Sequence, residues 1–213
     1  MEPITISMRG LAEVACAKPS QKQSKLKRFK FPESEESVGR SNYYVWAISA
    51  IKRHHRGDSK FVDDTLHRLL EEAAGESDPR RKAKFSNNCR AITDYLKFFG
   101  DRSLEIRPGA RLYFNYRNLI VNAHPDLVAE EKGLLLLIKL NCCKDDFDGG
   151  VTSTLLHVLY ESAKLKGLEI GPTSVECLQT SSGSRITGPK TGFPNTSALN
   201  SACKELLGIW PAA

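Results

Sequence analysis

The chain has 213 residues, 40% of them hydrophobic and 26% charged, which is enough to enclose one ample core and lies within the globular range. No apolar run approaches the roughly 20 residues of a spanning helix, and MEPITISMRG lacks a signal peptide's apolar stretch, so the expectation is a cytoplasmic protein with no membrane partner. The formal charge of +6 is entirely N-terminal: residues 1–60 carry 12 Lys and Arg against 6 Asp and Glu, and residues 61–213 balance at 19 each.

The densest cations lie in residues 17–30, AKPSQKQSKLKRFK, where Lys18, Lys22, Lys25, Lys27, Arg28 and Lys30 stand without an acid. Self-repulsion predicts a flexible basic arm over residues 1–32, which either lies along a phosphate backbone or serves only as a solvated tail. After the acidic step Glu33, Glu35, Glu36, Ser41 can cap a helix that carries Tyr44, Ala47, Ile48 and Ile51 at helical spacing and ends at Gly57. A second helix starts near Asp63 or Asp64, with Leu66, Leu69 and Leu70 on one side. A third follows Pro79, aligns Phe85, Cys89, Ile92, Leu96 and Phe99 in a stripe, and stops at Gly100. Residues 33–100 therefore form an N-terminal helical part.

Within residues 101–213 the pattern turns to strands. Leu104 to Arg107, Leu112 to Tyr116 and Leu119 to Ala123 read as strands, the last two joined at Arg117 and Asn118. Glu130, Glu131, Lys132 and Gly133 read as a turn before Leu134 to Leu140, a run apolar on both faces that predicts a central strand covered on each side. A helix from about Thr152 to Lys166 stops at Gly167. Val175 to Gln179 and Arg185 to Thr187 flank the turn Ser181 to Ser184, and a last helix runs from about Thr196 to Leu207. Six cysteines, Cys16, Cys89, Cys142, Cys143, Cys177 and Cys203, show no C-x-x-C spacing and read as reduced, structural thiols. The element order predicts an α/β domain with a mixed central sheet flanked by helices.

His124-Pro125-Asp126 follows the strand LIVNA, and Leu137-Ile138-Lys139 ends the strand LLLLIKL; LLHVLYESAKLKG and VECLQTSSGSRI follow as helix and closing hairpin. On these residues the chain resembles the PD-(D/E)XK nuclease superfamily, above all its RecB-type exonuclease branch, over roughly residues 100–210. The resemblance implies a restriction-endonuclease-like core and a site in which Asp126 helps to hold Mg²⁺ or Mn²⁺ while Lys139 orients the attacking water. Residues two apart on a strand share a face, so an acid at 137 would converge with Lys139 on one phosphate, but position 137 is leucine. Leu156 likewise stands where the branch places a Gln before Tyr160.

Three functions follow. The first is a nucleic-acid-binding protein, for DNA ahead of RNA, with a nuclease-like fold and weak or no hydrolysis. The second is an active metal-dependent nuclease whose missing acid or ligand is relocated to His67, Glu71, Glu72, His124, Asp145, Asp146 or Asp148, each of which also reads as an ordinary solvated or hydrogen-bonding residue. The third is an interaction subunit that docks a protein partner. Asp126 and Lys139 also admit a plain structural reading, as a turn former and a lysine leaving the sheet. The nucleic-acid contacts expected of the first reading are Lys25, Lys27, Arg28 and Lys30 in the arm, and Lys52, Arg53 and Arg56 beside His54 and His55 at the end of a helix opened by Tyr43, Tyr44 and Trp46.

Overall fold

The computed structural model describes residues 3–30 and 43–212. Strand β1 (Ile4–Ser7) leads into helices α1 (Met8–Ala15) and α2 (Pro19–Lys30), and α3 (Val45–His54), α4 (Ser59–Gly75) and α5 (Pro79–Phe99) follow. Strands β2 (Glu105–Ile106), β3 (Tyr113–Tyr116), β4 (Leu119–Asn122), β5 (Leu127–Glu131) and β6 (Leu134–Asn141) come next. Helix α6 (Gly149–Leu165), strands β7 (Val175–Gln179) and β8 (Ser184–Thr187), and helix α7 (Ser197–Ile209) complete the order.

The structure is α/β, with a five-stranded sheet ordered β2-β5-β6-β7-β8 at its centre. β6 pairs antiparallel with β5 and parallel with β7, and α6 connects β6 to β7. Alternation along β6 divides its side chains between two cores: Leu137 joins Val175 and Cys177 under α1, α6 and α7, whereas Leu136, Ile138 and Leu140 meet Ile51, Leu69, Ile92 and Tyr95 of α3, α4 and α5. Cover on both faces explains why the leucine run shows no alternation, and each buried leucine contributes about 1.5–3 kcal/mol by leaving water.

Local chemistry sets the joints. Asp58, Asp78 and Asp148 cap α4, α5 and α6 by accepting backbone N–H groups from Phe61, Arg80 and Val151. Lys132 and Gly133 take positive φ, 53° and 75°, and close the β5–β6 hairpin in two residues. Helix α4 thus begins at Ser59, ahead of the expected Asp63 or Asp64, because Asp58 supplies the cap. Glu130 and Glu131, expected in the turn, belong to strand β5, and the turn itself is Lys132 and Gly133.

The N-terminal part departs furthest from expectation. Residues 19–30 are helix α2, with Leu26 fully buried, Lys22 ion-paired to Glu205 and Lys30 donating to the Trp210 carbonyl. One apolar anchor and an acid far along the chain hold the basic segment that self-repulsion alone would extend. Strand β1 was not anticipated; it pairs in parallel with β4, which pairs with β3, to give a second, three-stranded sheet ordered β1-β4-β3. Helix α3 begins after Tyr44 without a side-chain cap, and the anticipated cap Ser41 and the acidic step lie outside the described residues.

Candidate functional site

Strand β4 ends at Asn122, and only four residues separate it from β5. Asp126 closes that link: its N–H donates to the Ile138 carbonyl at 2.9 Å, which continues the β5–β6 ladder and sets Asp126 opposite Lys139. Lys139 Nζ donates to Asp126 Oδ1 at 2.9 Å, and the Leu140 N–H donates to Oδ2 at 2.8 Å. The side chains are 22% and 14% exposed, so this cross-strand pair sits at the rim of the sheet's end, partly withdrawn from water.

Lys52, one helical turn before Arg56, lies within electrostatic reach of Asp126, Arg56 and Lys139; burial chiefly lowers its pKa, Asp126 opposes the shift, and the two neighbouring cations add to it. His124 is also held below its ordinary pKa, mainly by burial and then by Arg111 and Lys139. Its Nδ1 accepts the Leu112 N–H at 3.1 Å, which places the proton of the neutral ring on Nε2. An ammonium has three N–H donors, so Lys139 keeps donors beyond the one committed to Asp126.

Beyond Lys139 on the same strand face, Asn141 donates to Gln179 Oε1 at 2.6 Å and to the Asp145 carbonyl at 2.9 Å. Gln179 Oε1 also accepts the Phe147 N–H. This buried polar network clips the loop between β6 and α6 to the sheet. Two acids of that loop are engaged, Asp148 capping α6 and Asp146 accepting from Ser181 Oγ at 2.8 Å, whereas Asp145 joins the network through its backbone carbonyl and its side chain is exposed.

The remaining candidates are dispersed. His67 and Glu71 face solvent on α4, 3.4 Å apart, and Glu71 and Glu72 border a shallow cavity of about 350 Å³ with Arg68, Gly75 and Glu76, remote in its lining from Asp126 and Lys139. Arg53 turns to Asp58 at 3.4 Å and lies over Phe61. The end of α3 is less open than its sequence suggests: His54 Nε2 contacts the Gly100 carbonyl at 2.9 Å and His55 Nε2 the Tyr95 hydroxyl at 2.8 Å. Arg56 is exposed, as are Lys27 and Arg28 on α2, whereas Lys25 is half-buried.

Comparison of the chain with protein families, curated proteins and solved structures finds no match. The geometry therefore carries the functional reading by itself. A divalent metal of the kind the resemblance implies needs hard oxygen ligands in near-octahedral array. Both Asp126 oxygens are engaged, by an ammonium and an amide, and position 137 offers a fully buried leucine between Val128 and Val175 on the neighbouring strands. Among the described residues no three His, Cys, Asp or Glu side chains gather around a common point. Asp126 alone, held by Lys139 and with Leu137 where the second acid would stand, does not make up such a ligand set.

Sequence reasoning found Asp126 and Lys139 only through the resemblance, and missed that Lys52 lies within their electrostatic reach. It also missed Asn141 and Gln179, although a lone Asn and a lone Gln at the ends of apolar strands were a usable signal. A second network went unseen: fully buried Glu176 is held by Arg102 at 3.0 Å and by Arg185, and Arg102 also reaches Glu131 at 2.8 Å.

Proposed function

We propose that the chain binds the phosphodiester backbone of nucleic acid, DNA ahead of RNA, at the end of its central sheet, on a PD-(D/E)XK-like scaffold that does not hydrolyse it. The observation that carries the reading is the Lys139 ammonium fixed opposite Asp126, with Lys52 within electrostatic reach of both. A bound phosphate relieves the mutual repulsion of these cations, and their partial burial strengthens each contact relative to water. Support for the scaffold comes from the β2-β5-β6 meander, the α6 connection and parallel β7, with Asp126 and Lys139 at the positions the resemblance assigns to them. Support for the lack of turnover comes from the donor set: without a second carboxylate, Asp126 remains neutralised by Lys139.

The test measures binding of labelled duplex and single strands against salt concentration. Lys139→Gln and Lys52→Gln should each weaken binding and flatten the log–log salt slope by about one. The same proteins are incubated with DNA or RNA and Mg²⁺ or Mn²⁺, where no cleavage is expected. Metal-dependent cleavage that Asp126→Ala or Lys139→Ala abolishes would establish a nuclease instead, and affinity indifferent to Lys139 and Lys52 would remove the binding site.

A further inference from the structure

The three-stranded sheet has one face in the core and one in solvent. Leu112, Phe114, Leu119, Val121 and Ile6 point inward. By alternation and register the outward positions are Arg111, Tyr113 and Asn115 on the β3 side, Ile120 and Asn122 on β4, and Thr5 on β1. No acid stands on that face among the described residues. Tyr113 is 41% exposed, a large aromatic ring at the sheet's edge strand, and its ring meets His124 edge-on with centroids 5.1 Å apart. Arg111 is exposed and lies within electrostatic reach of His124, which in turn feels Lys139. The face therefore carries the neutral Asn115 and Tyr113 and one cation, Arg111, and beyond Asn122 the chain passes His124 and reaches Asp126 opposite Lys139.

We propose that this outward face is a platform for single-stranded DNA, whose bases stack on Tyr113 while its backbone passes Arg111 toward Lys139. The inference rests on the phosphodiester reading of the Lys139 site and extends it to a second surface. An exposed ring on a flat face can stack only on a base that has left its own stack, which a duplex does not present. Charge complementarity with the backbone comes from Arg111 and from the absence of opposing acids. Ile120, half-buried between Thr5 and Asn115, adds an apolar contact on the face, and the choice of DNA follows the reading of the Lys139 site on which the platform rests.

The experiment uses the full chain and a labelled mixed-sequence single strand of about 12 nucleotides, followed by fluorescence anisotropy at low salt. Tyr113→Ala should weaken binding on the order of ten-fold, and Tyr113→Phe should stay within about two-fold of wild type because the ring is what is used. Arg111→Gln should flatten the salt slope by about one, and duplex binding should be unchanged by Tyr113→Ala. Single-strand affinity unaltered by Tyr113→Ala would overturn the platform. Weakening by Lys139→Gln but not by Tyr113→Ala leaves the Lys139 reading standing and the platform refuted, and the reverse pattern refutes the Lys139 reading alone. An RNA strand of the same sequence that binds as tightly as DNA, or more tightly, would overturn the assignment to DNA.

Discussion

Replacing Asp126 by Asn separates binding from stability, because the two should move in opposite directions. Asn keeps an oxygen for the Leu140 N–H but loses the charge that faces Lys139 Nζ at 2.9 Å. With the partners 22% and 14% exposed, and Lys139 able to swing its ammonium toward water, the loss of stability is about 1–2 kcal/mol. A phosphate bound on the Lys139 ammonium stands roughly 6 Å from the Asp126 charge, where their repulsion is about 0.7 kcal/mol in bulk water and about 2.8 kcal/mol at an effective dielectric of about 20. A site at the rim falls between these limits, so the substitution should tighten binding by about 1–2 kcal/mol, or roughly five- to thirty-fold. Urea unfolding followed by circular dichroism measures the first effect, and anisotropy titration with labelled DNA the second. Weaker or unchanged DNA binding by Asp126→Asn would show that no phosphate sits beside Lys139. Loss of a metal-dependent cleavage would show that Asp126 serves as a ligand.

Arg102→Ala should destabilise the fold by about 3–5 kcal/mol, since it strips a partner from fully buried Glu176 and from Glu131; a smaller drop in the urea midpoint than Glu131→Gln causes would contradict this. Burial first, then His54 and Arg102, holds His55 down to about 4, below its unfolded value near 6.5, so the unfolded chain binds more protons between those values and stability should fall as pH drops from about 6.5 to about 4. His55→Gln should flatten that slope, and an unchanged profile would assign the effect to His124 and His157, which shift in the same direction. A water-soluble thiol reagent at mildly alkaline pH should label exposed Cys16 first in the native chain, whereas burial pushes Cys177 and Cys203 up to about 12 and should keep them unreactive until the protein unfolds.

Elements whose stability is local were legible in the sequence. The stripe of α5, its Pro79 start and its Gly100 stop, and the two-faced apolar run of β6 each state their environment within a short window. Elements fixed by distant partners were not. The β-branched alternation of ITIS suits a strand, but four residues do not say where it pairs, because its hydrogen-bonding partner is β4, more than a hundred residues on. Helix α2 reads as an arm until Glu205 and Trp210 are seen beside Lys22 and Lys30. The alternation in RLYFNY was visible, but which side meets solvent depends on α1 and α6 covering the other. For the same reason Lys52 read as one member of a basic cluster, and its position beside Asp126 appears only once α3 packs on the sheet.

The leucine at 137 and the excess of cations have a common consequence. Burial of Leu137 under α6 contributes about 1.5–3 kcal/mol, whereas a carboxylate buried at the same place would have to share Lys139 with Asp126. With leucine there, Asp126 is the acid that faces Lys139, and the two neutralise each other without a metal. Lys52 lies within electrostatic reach of the pair and Arg111 within reach of the neutral His124 ring, and both add positive charge to the surroundings. On the proposed reading, the substitution that removes a metal ligand also removes the negative charge that would repel a phosphate in the absence of metal. If the proposed reading holds, the strength of binding should follow the number of cations left uncompensated rather than the presence of a divalent ion.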